Sequence, residues 1–313
     1  MNKKKTFQIL VLIILITWFM VYFYENMEEF GHLKIVNIIY LGPLCLLSML
    51  FLTNNGLVLK YLLEPFKIKL KPKEWFGLSV ITTMGNLLTP FRGGAGVRAI
   101  YLKKMHQFSY SYFLSTLAGI YVIVFLVNSF IGLLAIFLLK YFYGIFNILI
   151  FLIFLFIFLS LLGIVIISPK VKETKHTFIN KFINVINGWY LIKSNRKALV
   201  ATSLISVINI GIMVLMMFLG FRVFGINIGL LSVLFLSIVS TLGLFISITP
   251  GALGIREAIV VFTATVVNIP ASQVLAVSIL DRVISLTAIF ILGPIFSYIL
   301  MNSKNEKIKE NNL

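Results

Sequence analysis

The sequence has little charge, few acids and almost no cysteine. Charged residues make up 12% of its 313 positions, and only 10 residues are Asp or Glu. An ordinary soluble domain carries about 25% charged residues, so a water-soluble globular protein is excluded. The single cysteine, Cys45, excludes a disulfide framework and a cysteine-ligated metal site. No P-loop, HExxH, Ser-His-Asp or paired-carboxylate arrangement is present, so we expect no enzymatic activity, no metal and no cofactor.

Long apolar runs are what the sequence has instead. Hydrophobic residues reach 60% and the mean hydropathy is +1.04. A membrane-spanning helix needs about 20 mostly apolar residues. Six stretches meet that requirement, at 7–24, 35–53, 110–139, 145–168, 198–219 and 273–300. The composition therefore predicts an all-α polytopic membrane protein with about six full transmembrane helices.

The first stretch has a second interpretation as a cleaved signal peptide. Residues 7–24 follow Lys3–Lys5, as a signal peptide would, but they lack a small-residue cleavage site. A retained signal-anchor helix is the favoured interpretation.

The basic residues indicate topology rather than nucleic-acid binding. The 27 Lys and Arg give a net charge of +17, and most lie in short segments between apolar runs. Lys3–Lys5, loop 54–74, loop 169–197 and the tail 301–313 hold most of them. By the positive-inside rule, both termini are cytoplasmic in a multi-pass protein of the cell membrane. The same residues suit contact with anionic lipid headgroups.

Two shorter apolar stretches, 75–89 and 229–249, each end in Thr-Pro and a glycine-containing turn. As a helix, residues 75–89 reach about 22 Å, less than the hydrocarbon core of about 30 Å. The charge distribution also requires each segment to return to its starting side. We therefore predict two opposed re-entrant hairpins, with tips at Thr89–Arg98 and Thr249–Arg256. A full crossing by the longer stretch, 229–249, is the alternative.

The two tips resemble each other, reading TPFRGGAGVRAI from Thr89 and TPGALGIREAI from Thr249. Because the hairpins enter from opposite faces, this similarity predicts an inverted-topology repeat. Residues 1–140 and 145–300 would be its halves within one integral membrane domain, 1–313. Such repeats place broken helices face to face near the midplane, where transporters bind substrates.

An amphipathic helix is predicted in the largest cytoplasmic loop. Apolar residues recur at steps of three and four over 173–193. This helix either lies on the inner leaflet or packs on the cytoplasmic end of the bundle.

Charged residues at depth are the main candidates for function. A charge at the centre of a spanning helix costs about 2.5–3.5 kcal/mol on insertion scales. Six such residues lie near the predicted tips and in the last span: Arg92, Arg98, Arg256, Glu257, Asp281 and Arg282. Four arginines against two carboxylates leave two positive charges, which an anionic ligand would neutralise. We therefore predict that the four arginines converge on one cavity that binds a phosphate-bearing headgroup, with Glu257 orienting Arg256 or an adjacent arginine. Guanidinium matches phosphate geometry best. In the alternative, the carboxylates pair with arginines as structural bridges.

The residues of the tips support an anion site. Glycines there can expose backbone N–H groups at a helix N-terminus, which favours anions. Each Pro ends the incoming arm of a hairpin. The tip candidates are Asn86, Thr89, Pro90, Gly93, Gly94, Gly96, Thr249, Pro250, Gly251 and Gly254. Asn86 could line a polar path or bond across helices.

These motifs resemble a known family. The run from Asn86 to Arg98, the run from Thr249 to Glu257 and the helix with Arg282 look like the flippase-like transmembrane domain of lysylphosphatidylglycerol synthases. That family also occurs as standalone chains and in archaeal glycosylation loci. The resemblance covers about residues 7–300 and implies that Arg92, Arg98, Arg256, Glu257 and Arg282 are functional positions. In two-domain synthases a soluble aminoacyl-transferase domain follows, and we expect its activity to be absent here.

The resemblance and the deep charges together predict a translocase. It would move an anionic lipid, either a phospholipid or a polyprenyl-phosphate-linked carrier, between leaflets. No ATP motif is present, so movement would be facilitated or ion-coupled. The alternatives are a secondary transporter of a small soluble anion and a membrane-embedded lipid-modifying enzyme. The expected partners are this lipid and the bilayer, without nucleic acid; the oligomeric state is unknown.

Overall fold

A computed structural model describes residues 34–243 and 248–310, apart from the side chains of Pro90 and of residues 303–310. The predicted first span, 7–24, lies outside the described residues. Within this part of the chain the secondary structure is helical, with no β-strand. In chain order the helices are α1 Leu41–Leu63, α2 Pro72–Leu88, α3 Gly94–His106, α4 Tyr110–Tyr143, α5 Ile148–Ile167, α6 Thr177–Ser194, α7 Arg196–Val223, α8 Leu230–Leu242, α9 Ile255–Val266 and α10 Ala271–Glu310.

Five of the described segments are long and apolar enough to cross a membrane. They are Ile38–Phe66, Tyr110–Tyr143, Ile148–Ile167, Arg196–Val223 and Ala271–Asn302. They correspond to the five predicted spans after the first. The prediction of an all-α polytopic membrane protein is therefore confirmed.

Polar residues between the apolar runs determine where the helices begin. Asn147 accepts a hydrogen bond from the Ile150 amide at 3.1 Å, and Asn195 accepts one from the Ala198 amide at 2.9 Å. These are N-cap bonds, which satisfy amides that have no partner inside the helix. Gly144 ends α4 with a φ of 68°, a conformation that suits glycine.

One predicted boundary is wrong. The span predicted at 35–53 continues as α1 to Leu63, so Lys60 lies in its last turn and the loop does not begin at 54. The polar run after residue 52 looks like a loop in sequence but lies inside the bundle. Asn55 accepts a hydrogen bond from Asn209 at 3.3 Å, and a Cβ on Gly56 would lie 2.6 Å from the Trp75 ring. At the other end of the chain, the last helix continues through Glu310 into the predicted tail.

Among the described residues, the lysine-rich segments that follow α1 and α5 and the lysine-containing last turn of α3 lie at one end of the bundle, which we call the basic end. Lys197, at the start of α7, forms a 2.9 Å ion pair with Glu64, just after α1. Phe66 packs against Phe108, in the connection between α3 and α4. At the opposite end, the amide of Val36 donates to the carbonyl of Val223 at 2.9 Å. Helices α1 and α7 are therefore antiparallel and hold the two ends apart.

Helix α6 begins at Thr177, within the predicted range 173–193. Trp189 and Ile192 are buried, and both contact the position of Gly119 on α4. The Ser115 hydroxyl of α4 donates to the carbonyl of Val185 at 2.9 Å. Phe178, at the start of the helix, is 69% exposed. The second half of α6 therefore packs on the bundle, while its first turns present apolar side chains to the surroundings.

Two pairs of short helices lie among the long ones. The first pair is α2 with α3, and the second pair is α8 with α9; within each pair the two helices contact each other. With 17, 13, 13 and 12 residues, they measure about 26, 20, 20 and 18 Å, each less than a hydrocarbon core. Between the helices lie the first turn, Pro90–Arg92, and the second turn, Pro250–Ala252. The two turns contact each other.

Candidate functional site

A cavity of about 210 Å³ lies beside the second turn. Gly251 and Ala252 of that turn line it, together with Arg256 of α9 and Asp281 of α10. Its remaining polar lining consists of hydroxyl groups from four helices: Ser48, Thr83, Ser237, Ser240, Ser278 and Ser285. The cavity therefore combines apolar walls with hydrogen-bonding groups and one ion pair.

Arg256 and Asp281 form that ion pair. The Arg256 Nη2 lies 2.9 Å from the Asp281 Oδ2, and the two side chains are 26% and 22% exposed. A single contact of this kind leaves further guanidinium N–H groups available. Asp281 therefore neutralises the charge of Arg256 but leaves guanidinium N–H groups of Arg256 available to a ligand.

Arg282 is held more completely. Its Nε donates to the Glu257 Oε1 at 2.6 Å and its Nη2 to the Glu257 Oε2 at 3.1 Å. Its Nη1 donates to the carbonyl of Gly251 at 3.3 Å, which ties α10 to the second turn. The Ser278 hydroxyl donates to the same carboxylate at 3.4 Å. Bidentate geometry and near-complete burial make this pair a brace between α9, α10 and the turn.

Glu257 also caps its own helix. The amide of Gly254 donates to the Glu257 Oε2 at 2.8 Å, which satisfies a free amide at the start of α9. Gly254 has a φ of 81° and Gly251 a φ of 60°, both in the region that favours glycine. The Thr249 hydroxyl donates to the carbonyl of Leu253 at 2.8 Å and closes the loop. These hydrogen bonds fix the second turn to α9 and α10.

The first turn is built differently. Phe91 and Arg92 adopt φ values of 53° and 54° although neither is glycine, whereas in the second turn Ala252 alone does so, at 52°; such values cost conformational energy. The Arg92 Nη1 donates to the Tyr121 hydroxyl of α4 at 2.7 Å, and its guanidinium lies 5.4 Å from the centroid of that ring. The Thr89 hydroxyl donates to the carbonyl of Gly85 at 2.6 Å and ends α2.

Arg98 is the most buried of the predicted site arginines. It is 7% exposed, and its guanidinium lies 5.5 Å from the centroid of the Phe113 ring. Its Nε is buried and has no hydrogen-bond partner, like the Thr82 Oγ1 and the Asn86 Oδ1 of α2. Among the described residues, neither Arg98 nor Arg92 forms an ion pair with a carboxylate.

The glycines of the first pair allow the two helices to touch. A Cβ on Gly94 would collide with the carbonyl oxygen of Thr82, and one on Gly85 would lie 2.6 Å from the Cα of Gly94. Gly93 faces the Thr89 side chain closely, while a Cβ on Gly96 would meet nothing within 4 Å. Close packing, rather than an unusual backbone conformation, explains Gly85 and Gly94.

The structure brings together part of the predicted site. Arg256, Asp281 and Gly251 line the cavity, and Arg282 with Glu257 lies directly behind them. Arg92 and Arg98 are not among the residues that line it; they lie on the first pair and face α4 instead. The predicted convergence of all four arginines on one cavity is therefore not what the described geometry shows.

Sequence reasoning missed Tyr121 and the hydroxyl groups of the cavity. Ser278, Asp281 and Ser285 lie at steps of three and four along α10, which puts them on one face. A row of polar residues on one face of an apolar span is a sequence pattern that indicates a polar cavity. Ser237 and Ser240 form the same pattern on α8. No sequence pattern marks Tyr121, because its hydrogen bond with Arg92 depends on how the first turn packs against α4.

Comparison with known proteins agrees with the sequence motifs. The family model of the lysylphosphatidylglycerol synthase transmembrane region matches residues 6–293 of this chain. Neither the comparison with curated proteins nor that with solved structures finds a significant match. This match covers both helical pairs and all six deep charges, so the chain belongs to the lysylphosphatidylglycerol synthase transmembrane-region family.

Proposed function

We propose that this chain is a membrane translocase that moves an anionic lipid between the leaflets of the cell membrane. The lipid is a phospholipid or a polyprenyl-phosphate-linked carrier. Its headgroup phosphate contacts arginines near the two turns while its tails stay in the bilayer. Family membership supports a function related to membrane lipids.

We propose further that the two helical pairs are re-entrant and related by an inverted repeat. Their lengths and the contact between the two turns support this arrangement. The second pair begins at Gly229, beside Tyr143 at the end of α4, whereas the first pair ends just before α4 begins. The pairs therefore start from opposite ends of the same long helix.

The depth of the turns supports the same arrangement. Tyr121, which contacts Arg92, and Asn128, which accepts a hydrogen bond from Thr241 at 3.2 Å, belong to the 34-residue α4. Both lie within about 9 Å of the middle of that helix. A phosphate held at this depth would be about halfway between the leaflets.

The observation that carries the proposal is the distribution of charge. Glu257 and Asp281 each hold one arginine, and no carboxylate among the described residues holds Arg92 or Arg98. A cation at membrane depth without a counter-charge is costly, and a phosphate would supply that counter-charge. Both carboxylates are paired with arginines, which supports a role in neutralising charge and thus favours transport over catalysis.

A translocation assay tests the proposal. Fluorescent anionic lipid is followed between leaflets of proteoliposomes, with rates normalised to folded protein. A charge-assisted hydrogen bond contributes about 1.5–3 kcal/mol, so Arg92→Gln and Arg98→Gln should each slow transport about tenfold or more. Arg222→Gln is the control, because Arg222 lies over the Phe218 ring at 5.0 Å, as Arg98 lies over Phe113, but at the other end of the bundle. Wild-type rates from folded Arg92→Gln and Arg98→Gln would refute the proposal.

Cysteine labelling tests the proposed orientation, with the basic end and both termini cytoplasmic. In a Cys45→Ser background, a cysteine at the exposed Glu173 of the basic end should react only after the inner face is opened. A cysteine at the exposed Asn227 of the opposite end should react from outside. The reverse pattern would overturn the orientation.

A further inference from the structure

A second hollow, separate from the central cavity, lies between the first helical pair and the C-terminal part of α10. It measures about 320 Å³, far more than an ordered water needs. Its apolar lining comes from three helices and includes Ile81, Met84, Val97, Ile100, Leu300 and Met301. We call this hollow the hairpin groove. Its polar lining is confined to Tyr101, Lys104 and Ser297.

The groove has a polar end and an apolar end. Val97, Ile100, Tyr101 and Lys104 lie at steps of three and four along α3, so they share one face. From Val97 to Lys104 the helix rises about 10 Å. Val97 marks the end near the first turn, and Lys104, which is exposed, marks the basic end. The groove thus passes from hydrocarbon-like walls to an ammonium group.

We propose that the hairpin groove binds an anionic phospholipid from the leaflet at the basic end, with an acyl chain along α3 and the phosphate at Lys104. Apolar walls suit the chain, and a lysine at the membrane surface attracts an anionic headgroup. The proposed binding does not depend on transport; the groove's role as the site from which lipid reaches the arginines near the two turns rests on the proposed function.

Charge distinguishes this occupant from the chain's own first span. In the proposed orientation Lys3–Lys5 precede the span 7–24 on the side of the basic end, so this span would add positive charge to a groove that already ends at Lys104. Like charges repel. A second copy of the chain would meet the same obstacle if it presented its own basic end. An anionic lipid offers the complementary charge.

The test is capture of a photoreactive lipid by the full chain. The protein is reconstituted in phosphatidylcholine vesicles that contain a trace of phosphatidylglycerol with a photoreactive group on its acyl chain. Cross-linked peptides should include those carrying Ile100 and Ser297. Lys104→Gln should lower capture about threefold to fivefold. Lys103→Gln is the matched control and should leave capture unchanged, because Lys103 does not line the groove.

Two further probes make the test decisive. Ile100→Trp fills the groove and should abolish these cross-links, and photoreactive phosphatidylcholine should be captured several-fold less than the anionic probe. Equal capture of both lipids, or full capture by Lys104→Gln, would overturn the proposal. Cross-links from groove residues to residues 7–24 or to a second copy would do the same. Lipid capture is measured separately from translocation. If the wild type captured lipid but did not transport it, the proposed function would be refuted while the proposed binding in the groove would stand.

Discussion

The two helical pairs share a sequence plan but differ in electrostatics. In the second pair, Arg256 of the turn region and Arg282 of the neighbouring α10 each contact a carboxylate. In the first pair, Arg92 contacts a tyrosine and Arg98 faces a phenylalanine ring. The same Thr-Pro, glycine and arginine pattern therefore produces a neutral, braced turn in one half and a cationic turn in the other. The comparison teaches that the shared motif ends each incoming helix at a Thr-Pro turn, while Glu257, which only the second run contains, and Asp281, outside both runs, decide which arginines are free for a ligand.

The glycines show the same division. Gly251 and Gly254 of the second pair adopt positive φ values, and so does Ala252 between them, at 52°. Gly85 and Gly94 of the first pair allow two helices to touch, and the positive φ values in the first turn belong to Phe91 and Arg92 instead. Glycines at similar places in the two runs thus meet different physical requirements.

The largest expected effect comes from breaking the brace of the second pair. Arg282→Gln leaves the Glu257 carboxylate buried without its bidentate partner, which costs about 3–5 kcal/mol of unfolding free energy. Chemical or thermal unfolding in detergent measures this loss. Arg282→Lys should fall between wild type and Arg282→Gln, since it restores charge but not the fork geometry. Unchanged stability in Arg282→Gln would show that the brace contributes little.

The next effect tests close packing in the first pair. Gly94→Ala places a methyl group against the carbonyl of Thr82 and should cost about 1–3 kcal/mol. Gly96→Ala, two residues later in the same helix, meets open space and should be neutral or slightly stabilising. Unfolding midpoints of the two variants give the comparison directly. Equal midpoints would mean that α2 and α3 do not touch at Gly94.

The smallest expected effect compares the two ion pairs beside the second turn. Asp281→Asn removes a single-contact pair whose side chains are about a quarter exposed, so the loss should be about 1 kcal/mol or less. Glu257→Gln, at a carboxylate that is only 7% exposed, should cost clearly more. Parallel unfolding curves compare the two. A larger loss of stability in Asp281→Asn than in Glu257→Gln would show that the Arg256–Asp281 pair, rather than the Arg282–Glu257 pair, is the main brace.

Much of this architecture could be predicted from sequence, because apolar length and charge placement act locally. The five described spans follow directly from hydropathy, and the short lengths of the two pairs follow from their Thr-Pro turns. The end of α1 could not be predicted, since the polar run around Asn55 is satisfied by Asn209, 154 residues away. The net excess of two positive charges was predictable by counting. The sequence could not predict which arginines remain without a carboxylate partner, because that depends on which arginines Glu257 and Asp281 contact in the folded chain.

The central claim is that Arg98 is kept for a ligand rather than for the fold, and Arg98→Met tests it most directly. An unpaired buried cation costs stability, so an apolar side chain of similar size should leave the unfolding midpoint in lipid-free detergent equal to or above that of wild type. Translocation of anionic lipid by the same preparation should fall at least about tenfold. A lowered midpoint together with wild-type translocation per folded molecule would contradict the account.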